Sequence, residues 1–308
     1  MDLTTRELLD LGLDAVEADA SDVPASLRSR VLGAASTRMR PTLDAGWVDS
    51  PGAISPHSAF IQTAAELATL LDALGPDEWA APTGVMGASV RELVAHLIGV
   101  ERYVLGQLGR GPSYSAPTRE EHFDVSREAA GDLSSLANHE IAEMWWNEVT
   151  RLIAVVGELE PTHGVAYHHL NGSVRGMLVV RTFELWTHDE DIRRATNRPP
   201  NVLDDARLSL MSSDLMNVLN LGMALSGTTQ PGRAARINLI GSGGASYDIA
   251  LAPGEIAGAP DITITTSALD LCRLAANRLA FDLLDFEIEG DRSLFEPILV
   301  GATAFACD

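Results

Sequence analysis

Glu184 and His188 stand four residues apart in RGMLVVRTFELWTHDEDIRRAT, a stretch whose apolar spacing predicts a helix. On a helix that interval is about one turn, so the carboxylate and the imidazole emerge on one face. Such a pair can share a divalent metal when another helix brings a third ligand. His96 is the candidate, set among Leu93, Leu97 and Val100 on the apolar side of a second predicted helix. Two histidines and a glutamate, with a fourth position left to water, form the ligand set of a catalytic zinc site. Plainer readings stand beside this one. A helical Glu-x-x-x-His pair is commonly a solvated ion pair, and a histidine flanked by leucines is commonly a satisfied core residue. Spacing by itself leaves the alternatives open.

The elements that must position these residues are legible as apolar stripes. Ser55-Pro56 reads as a cap and first-turn proline, followed at helical spacing by Phe60, Ala64, Leu67, Leu71 and Leu74. Ser89 to Glu92 fits a capping box, and Leu93, Leu97, Val100 and Val104 line the helix behind it. A polar connection, GRGPSYSAPTREEHFD, leads to a helix through Ile141, Trp145, Val149, Ile153 and Val156, with at least one of Trp145 and Trp146 in the core. A loop bearing His163, His168 and His169 precedes the helix of Glu184, which stops before Asn197-Arg198-Pro199-Pro200. Four such helices suggest an antiparallel bundle.

Beyond Pro200 the texture changes. A helical DDARLSLMSSDLMNVLNLGMAL gives way to alternating runs, ARINLIG, SYDIALA and DITITT, with Gly241-Ser242-Gly243-Gly244 as a hairpin signal. The helix SALDLCRLAANRL, the strand LDFEIEGD and the apolar helix SLFEPILVGATAFA follow. The expected class is α+β in two domains: an extension and linker over 1–50, a helical bundle over 51–200, and a small α+β domain over 201–308. The extension itself reads as two short helices.

Composition removes several chemistries. The chain has 308 residues, with 43 Asp plus Glu against 22 Lys plus Arg, for a formal charge of −21. All of those cations are arginine, so no Schiff-base lysine, P-loop lysine or lysine general base exists. The acidic balance argues against nucleic-acid and membrane-surface partners. No apolar run approaches the ~18 residues of a membrane span, and MDLTTRELLDLG lacks the features of a secretory signal. Cys272 and Cys307 form no C-x-x-C motif and read as ordinary reduced thiols. The expected location is cytoplasmic.

VRELVAHLIGVERYV, the later R-T-F-E-L-W-T-H-D-E-D-I-R-R-A-T-N-R-P, and the terminal S-A-L-D-L…N-R…F-E-I-E-G-D together resemble the mycothiol-dependent maleylpyruvate isomerase family. The most specific element is E-x-W-x-H-x-x-D-I-R-x-A, here Glu184, Trp186, His188, Asp191, Ile192, Arg193 and Ala195. The resemblance spans roughly Ser55 to the C-terminus. It implies a DinB-like four-helix bundle that carries the metal, with a smaller domain resembling sterol carrier protein behind it. It implies His96, Glu184 and His188 as metal ligands, a divalent ion such as zinc, and mycothiol as cosubstrate. It also implies an arginine reaching over the metal site, for which Arg278 in A-A-N-R-L is the match. That guanidinium either clamps a substrate carboxylate or forms an ion pair with one of the many acids.

Two positions depart from the family pattern. Asn277 stands where a glycine usually precedes the arginine. Gly87-Ala88-Ser89-Val90 lacks the usual tryptophan at Ala88, a loss that either opens the pocket or removes a contact and so bears on substrate choice. His163, His168 and His169 form an extra cluster that either supplies a ligand or acid/base group or stays solvated. The extension's second half is similar to segments that follow anti-sigma-factor zinc modules in actinobacterial proteins, without the Cys/His ligands of such a module.

The implied chemistry is addition of a small thiol, bound as thiolate, to an electrophilic or anionic small molecule. Reversible addition to a double bond gives cis–trans isomerisation, and a lasting adduct gives thiol S-transfer. The competing class is a non-catalytic metal-, thiol- or lipid-binding protein, which would need no aligned triad and would show a long apolar tunnel.

Overall fold

The computed structural model describes residues 54–114, 121–167 and 170–306. The two helices expected in the N-terminal extension, His168, His169 and Cys307 lie outside them. The described architecture is α+β, with eight α-helices, a two-stranded hairpin and a four-stranded sheet.

The helical body begins with α1 (Pro56–Asp72), where Ser55 Oγ accepts from the Ser58 amide at 3.1 Å. Helix α2 (Val90–Gln107) carries the expected capping box: Ser89 Oγ accepts from the Glu92 amide at 3.3 Å, and Glu92 Oε2 accepts from the Ser89 amide at 2.8 Å. Next come α3 (His122–Ala130), α4 (Asn138–Gly157), the hairpin strands β1 (Gly164–Tyr167) and β2 (Leu170–Ser173), and α5 (Val174–Ala195). Helix α1 packs on α5 and α4, and α2 packs on α4 and α3. Phe60, Leu67, Leu97, Ile141, Trp145 and Leu185 meet in one core. Each such side chain contributes about 1.5–3 kcal/mol by leaving water. Trp145 is fully buried while Trp146 is partly exposed.

Two segments differ from the sequence expectation. The end of the polar connection is α3, because Gly99 lets its backbone settle on α2. A Cβ at Gly99 would lie 1.7 Å from the Ser126 carbonyl oxygen. The histidine-bearing loop is the β1/β2 hairpin, with Gly164 opposite Ser173.

After α5, Asn197 takes a left-handed φ of 53° and the chain turns toward α6 (Asp205–Leu225). The sheet follows, from β3 (Ala234–Ile240), β4 (Ser246–Ala250), β5 (Ile262–Ser267) and β6 (Glu287–Gly290), in the order β4-β3-β5-β6. Only β3 and β5 run parallel among these pairs. Helix α7 (Ala268–Ala275) continues directly from β5, and α8 (Phe295–Ala302) packs on α6. Leu219, Ile237, Ile264, Leu271 and Ile298 fill this second core. Its small apolar cavity measures about 10 Å³, room for one water and too little for an acyl chain. Cys272 is fully buried there, and burial pushes its thiol pKa up.

Helix α5 serves both cores: Leu185 faces the first and Trp186 the second. It is therefore buried nearly all round, including Asp189, Glu190 and Asp191. No described helix is long and apolar enough to cross a membrane.

Candidate metal centre

His96 on α2 and Glu184 and His188 on α5 converge. Each offers one ligand atom, and these atoms lie within 4.8 Å of one another. The rings of His96 and His188 stand at 87° with centroids 5.6 Å apart. Both histidines are buried, and only the Glu184 side chain, 15% exposed, has appreciable access to water.

A separate partner orients each ligand. Ser126 on α3 donates its hydroxyl proton to the Phe123 carbonyl at 2.9 Å. Its oxygen therefore accepts from His96 Nδ1–H at 2.6 Å, which leaves the Nε2 lone pair bare. Asp191 Oδ2 lies 3.2 Å from His188 Nδ1 and fixes that ring the same way. Arg181, fully buried, holds Glu184 Oε2 and also donates to Glu101 Oε1 at 2.6 Å. Glu184 Oε1 is left facing His96 Nε2 at 3.2 Å.

The electrostatics favour a cation between those two atoms. A bare imidazole nitrogen and a carboxylate oxygen at 3.2 Å repel unless a proton or a metal lies between them. Burial pushes the His96 pKa down to about 4, against the pull of Glu184, so at neutral pH the proton is gone. Burial would raise the Glu184 carboxyl, but the charge of Arg181 and a bond from His122 overcome it and hold it well below the usual range. The donor set is thus ionised carboxylate plus neutral imidazole, the forms that bind a divalent metal.

His122, the first residue of α3, was not singled out by spacing or motif. It is buried, its Nε2 lies 3.5 Å from Glu184 Oε1, and its ring meets His96 edge-on at 5.0 Å. Phe123 stacks flat on His96, with centroids 4.5 Å apart. The one available signal was the spacing of His122, Ser126 and Ala130, which share a helical face. His163, by contrast, is exposed.

Arg278 takes the ion-pair alternative. Its Nε and Nη2 donate to Asp191 Oδ1 and Oδ2 at 2.9 and 2.7 Å. Asn277 accommodates the turn before it with a φ of 61°, a conformation in which asparagine is the usual substitute for glycine. A cleft of about 320 Å³ opens beside His96, lined by Met86, Gly87, Ala88, Phe123 and Arg127 among others. Open space thus lies at Ala88, where the family pattern would place a tryptophan.

Comparison with known proteins bears on the helical body first. Residues 60–193 match the family model of the mycothiol maleylpyruvate isomerase N-terminal domain. A crystal structure of the mycothiol-dependent maleylpyruvate isomerase is similar, with a TM-score of 0.50 and 16% identity over 75% of this chain and 91% of that chain. A histidine-to-alanine mutant of that enzyme matches with the same TM-score and coverage at 15% identity. At such identities the likeness is one of fold. No curated protein matches the chain by sequence. The stretch that matches this family model, residues 60–193, contains all three converging side chains.

Proposed function

We propose that this protein is a metal-dependent enzyme that uses a small-molecule thiol, mycothiol, to isomerise a maleylpyruvate-like unsaturated acid or to transfer the thiol to a related electrophile. In this reading a DinB-like bundle over 51–200 carries the metal, and a sterol-carrier-like domain over 201–308 closes it from one side. The observation that carries it is the convergence of His96, Glu184 and His188, each with its own orienting partner, in a helical body of the matching family.

His96 Nε2, Glu184 Oε1 and His188 Nε2 would hold the ion, zinc by its donor set. When bound, the ion supplies a Lewis acid that lets a thiol in the remaining position exist as thiolate at neutral pH. Arg181 keeps Glu184 ionised and its Oε2 occupied, so that Oε1 alone faces the site. The cleft beside His96 gives room for the body of a small molecule, with Arg127 at its edge for an anionic group. Isomerisation conserves atoms. The sulfur forms a C–S bond at one alkene carbon, the π electrons move onto the conjugated carbonyl, the single bond rotates, and loss of sulfur restores the double bond and the thiol. In S-transfer the C–S bond persists and the adduct takes up the thiol's proton. Orientation of the two reactants supplies much of the rate.

The test is metal analysis of purified protein, followed by turnover assays with mycothiol and a panel of unsaturated acids and electrophiles. His188→Ala is expected to lose both bound zinc and turnover, the latter by at least about 100-fold. Parental turnover in a variant without bound metal overturns the reading.

A further inference from the structure

Of the two roles open to Arg278, a clamp on a substrate carboxylate and an ion pair with an acid, the side chain forms the ion pair, with Asp191. Helix α7 ends in a left-handed turn: the Asn277 amide donates to the Leu274 carbonyl at 2.9 Å and the Arg278 amide to the Arg273 carbonyl at 2.8 Å. This paired closure fixes where Arg278 leaves the backbone. Its guanidinium then reaches α5 and grips both oxygens of Asp191, at 2.9 and 2.7 Å, while Nη1 donates to the Ala276 carbonyl at 3.0 Å. Both side chains are buried, at 8% and 1% exposure. Asp191 Oδ2 also meets His188 Nδ1, at 3.2 Å.

We infer that Arg278 is a positioning residue for His188, acting through Asp191, so that the α+β part of the chain sets the metal affinity of a site built on helices. The inference rests on His96, Glu184 and His188 being the ligands. Physically, a carboxylate on an imidazole N–H fixes the tautomer and the ring plane, and losing such a partner typically lowers metal affinity about 10–100-fold. A free Asp side chain turns about two bonds. Two parallel bonds from a planar guanidinium remove that freedom, which a single point contact cannot do. Arg194 also touches Asp191, at 3.1 Å from the same helix, but through one nitrogen and with 58% of its side chain in water. Only Arg278 among these described partners delivers a two-point grip.

A control lies on the same helix. Arg273 makes the neighbouring contact from α7 to α5, donating to Glu190 at 2.6 and 3.2 Å, without touching Asp191. Zinc affinity of the full-length chain is measured by competition with a chromophoric chelator, and folding by circular dichroism. The parent is compared with Arg278→Gln, Arg278→Lys, Asp191→Asn, the Arg278→Gln/Asp191→Asn pair and Arg273→Gln. Arg278→Gln is expected to bind zinc about 10-fold more weakly or worse. Asp191→Asn should match or exceed that loss, the double variant should be no weaker than Asp191→Asn, and Arg278→Lys should regain part of it. Arg273→Gln should keep parental affinity. Should Arg278→Gln fail to fold, Arg278→Lys and Asp191→Asn carry the comparison. Parental zinc affinity with lost turnover in the Arg278 variants would assign the residue to substrate instead. Equal weakening by Arg273→Gln would reduce the effect to general support between the two cores. If the parent binds no zinc, or His188→Ala binds it as the parent does, the ligand assignment itself fails and takes this inference with it.

Discussion

An imidazole binds a metal only through a bare nitrogen, and at His96 two features keep Nε2 bare. Ser126 accepts from Nδ1, and burial disfavours the second proton. Ser126→Ala removes the first feature while deleting one small side chain. The expected outcome is zinc affinity lowered about 10-fold in a chain that melts near the parental temperature, read by chelator competition and thermal scans. Unchanged affinity would show that Phe123, stacked on the ring, suffices to hold it. Glu184 illustrates the same logic for a carboxylate. Its two oxygens are chemically equivalent until Arg181 occupies one, after which only the other faces the histidines. The three ligand types and their spacing were visible in the sequence. Ser126 and His122 were not, because they come from a helix too polar to announce itself.

That helix, α3, shows how an element can be invisible to apolar periodicity and still be required. Its buried residues are His122, Ser126, Ala129 and Ala130, which are small or polar. It stays in place by closeness to α2, made possible at Gly99. Gly99→Ala would set a methyl against the Ser126 carbonyl, which no rotamer can relieve. We expect a loss of about 1–3 kcal/mol in denaturant unfolding together with weaker zinc binding, since the displaced segment carries Ser126. A stability loss with parental zinc affinity would show that α3 moves without disturbing His96. Helices α1, α2, α4 and α5 were legible because each carries a long stripe of Leu, Ile, Val or aromatic residues, and α2 also announces its capping box. The strands β3, β4 and β5 were legible from alternation. The β1/β2 hairpin was not: Gly164 to Ser173 lacks strict alternation, its one turn pair, Asn171-Gly172, falls inside β2, and its pairing leads into the Ser173 cap of α5.

At the scale of the molecule, two cores share α5, and the seam is rich in arginine–carboxylate pairs. Arg207 grips Glu66 at 2.7 Å through both terminal nitrogens, and Arg273 and Arg278 hold Glu190 and Asp191. Glu66, Glu190 and Asp191 are each matched by an arginine there, a placement that composition alone could not locate. Asp214 on α6 is an exception: burial pushes its pKa from 3.8 up to about 7, and the charge of Arg175 offsets this only in part. Between about 4 and 7 the folded chain holds a proton that the unfolded chain releases. The corresponding stability is complete below about pH 4 and fades as pH rises through 7. Asp214→Asn should therefore raise the melting temperature at pH 8, raise it less at pH 5, and leave it nearly unchanged at about pH 3; equal shifts at all three values would refute the assignment. Cys272, on the buried face of α7 with its thiol held protonated, has a bearing on the proposed chemistry. An enzyme that brings soft electrophiles to an activated sulfur endangers any nucleophile of its own. Here the resident side chain is shielded from alkylation by inaccessibility and by protonation alike, so the diffusible reagent meets no competitor at that position.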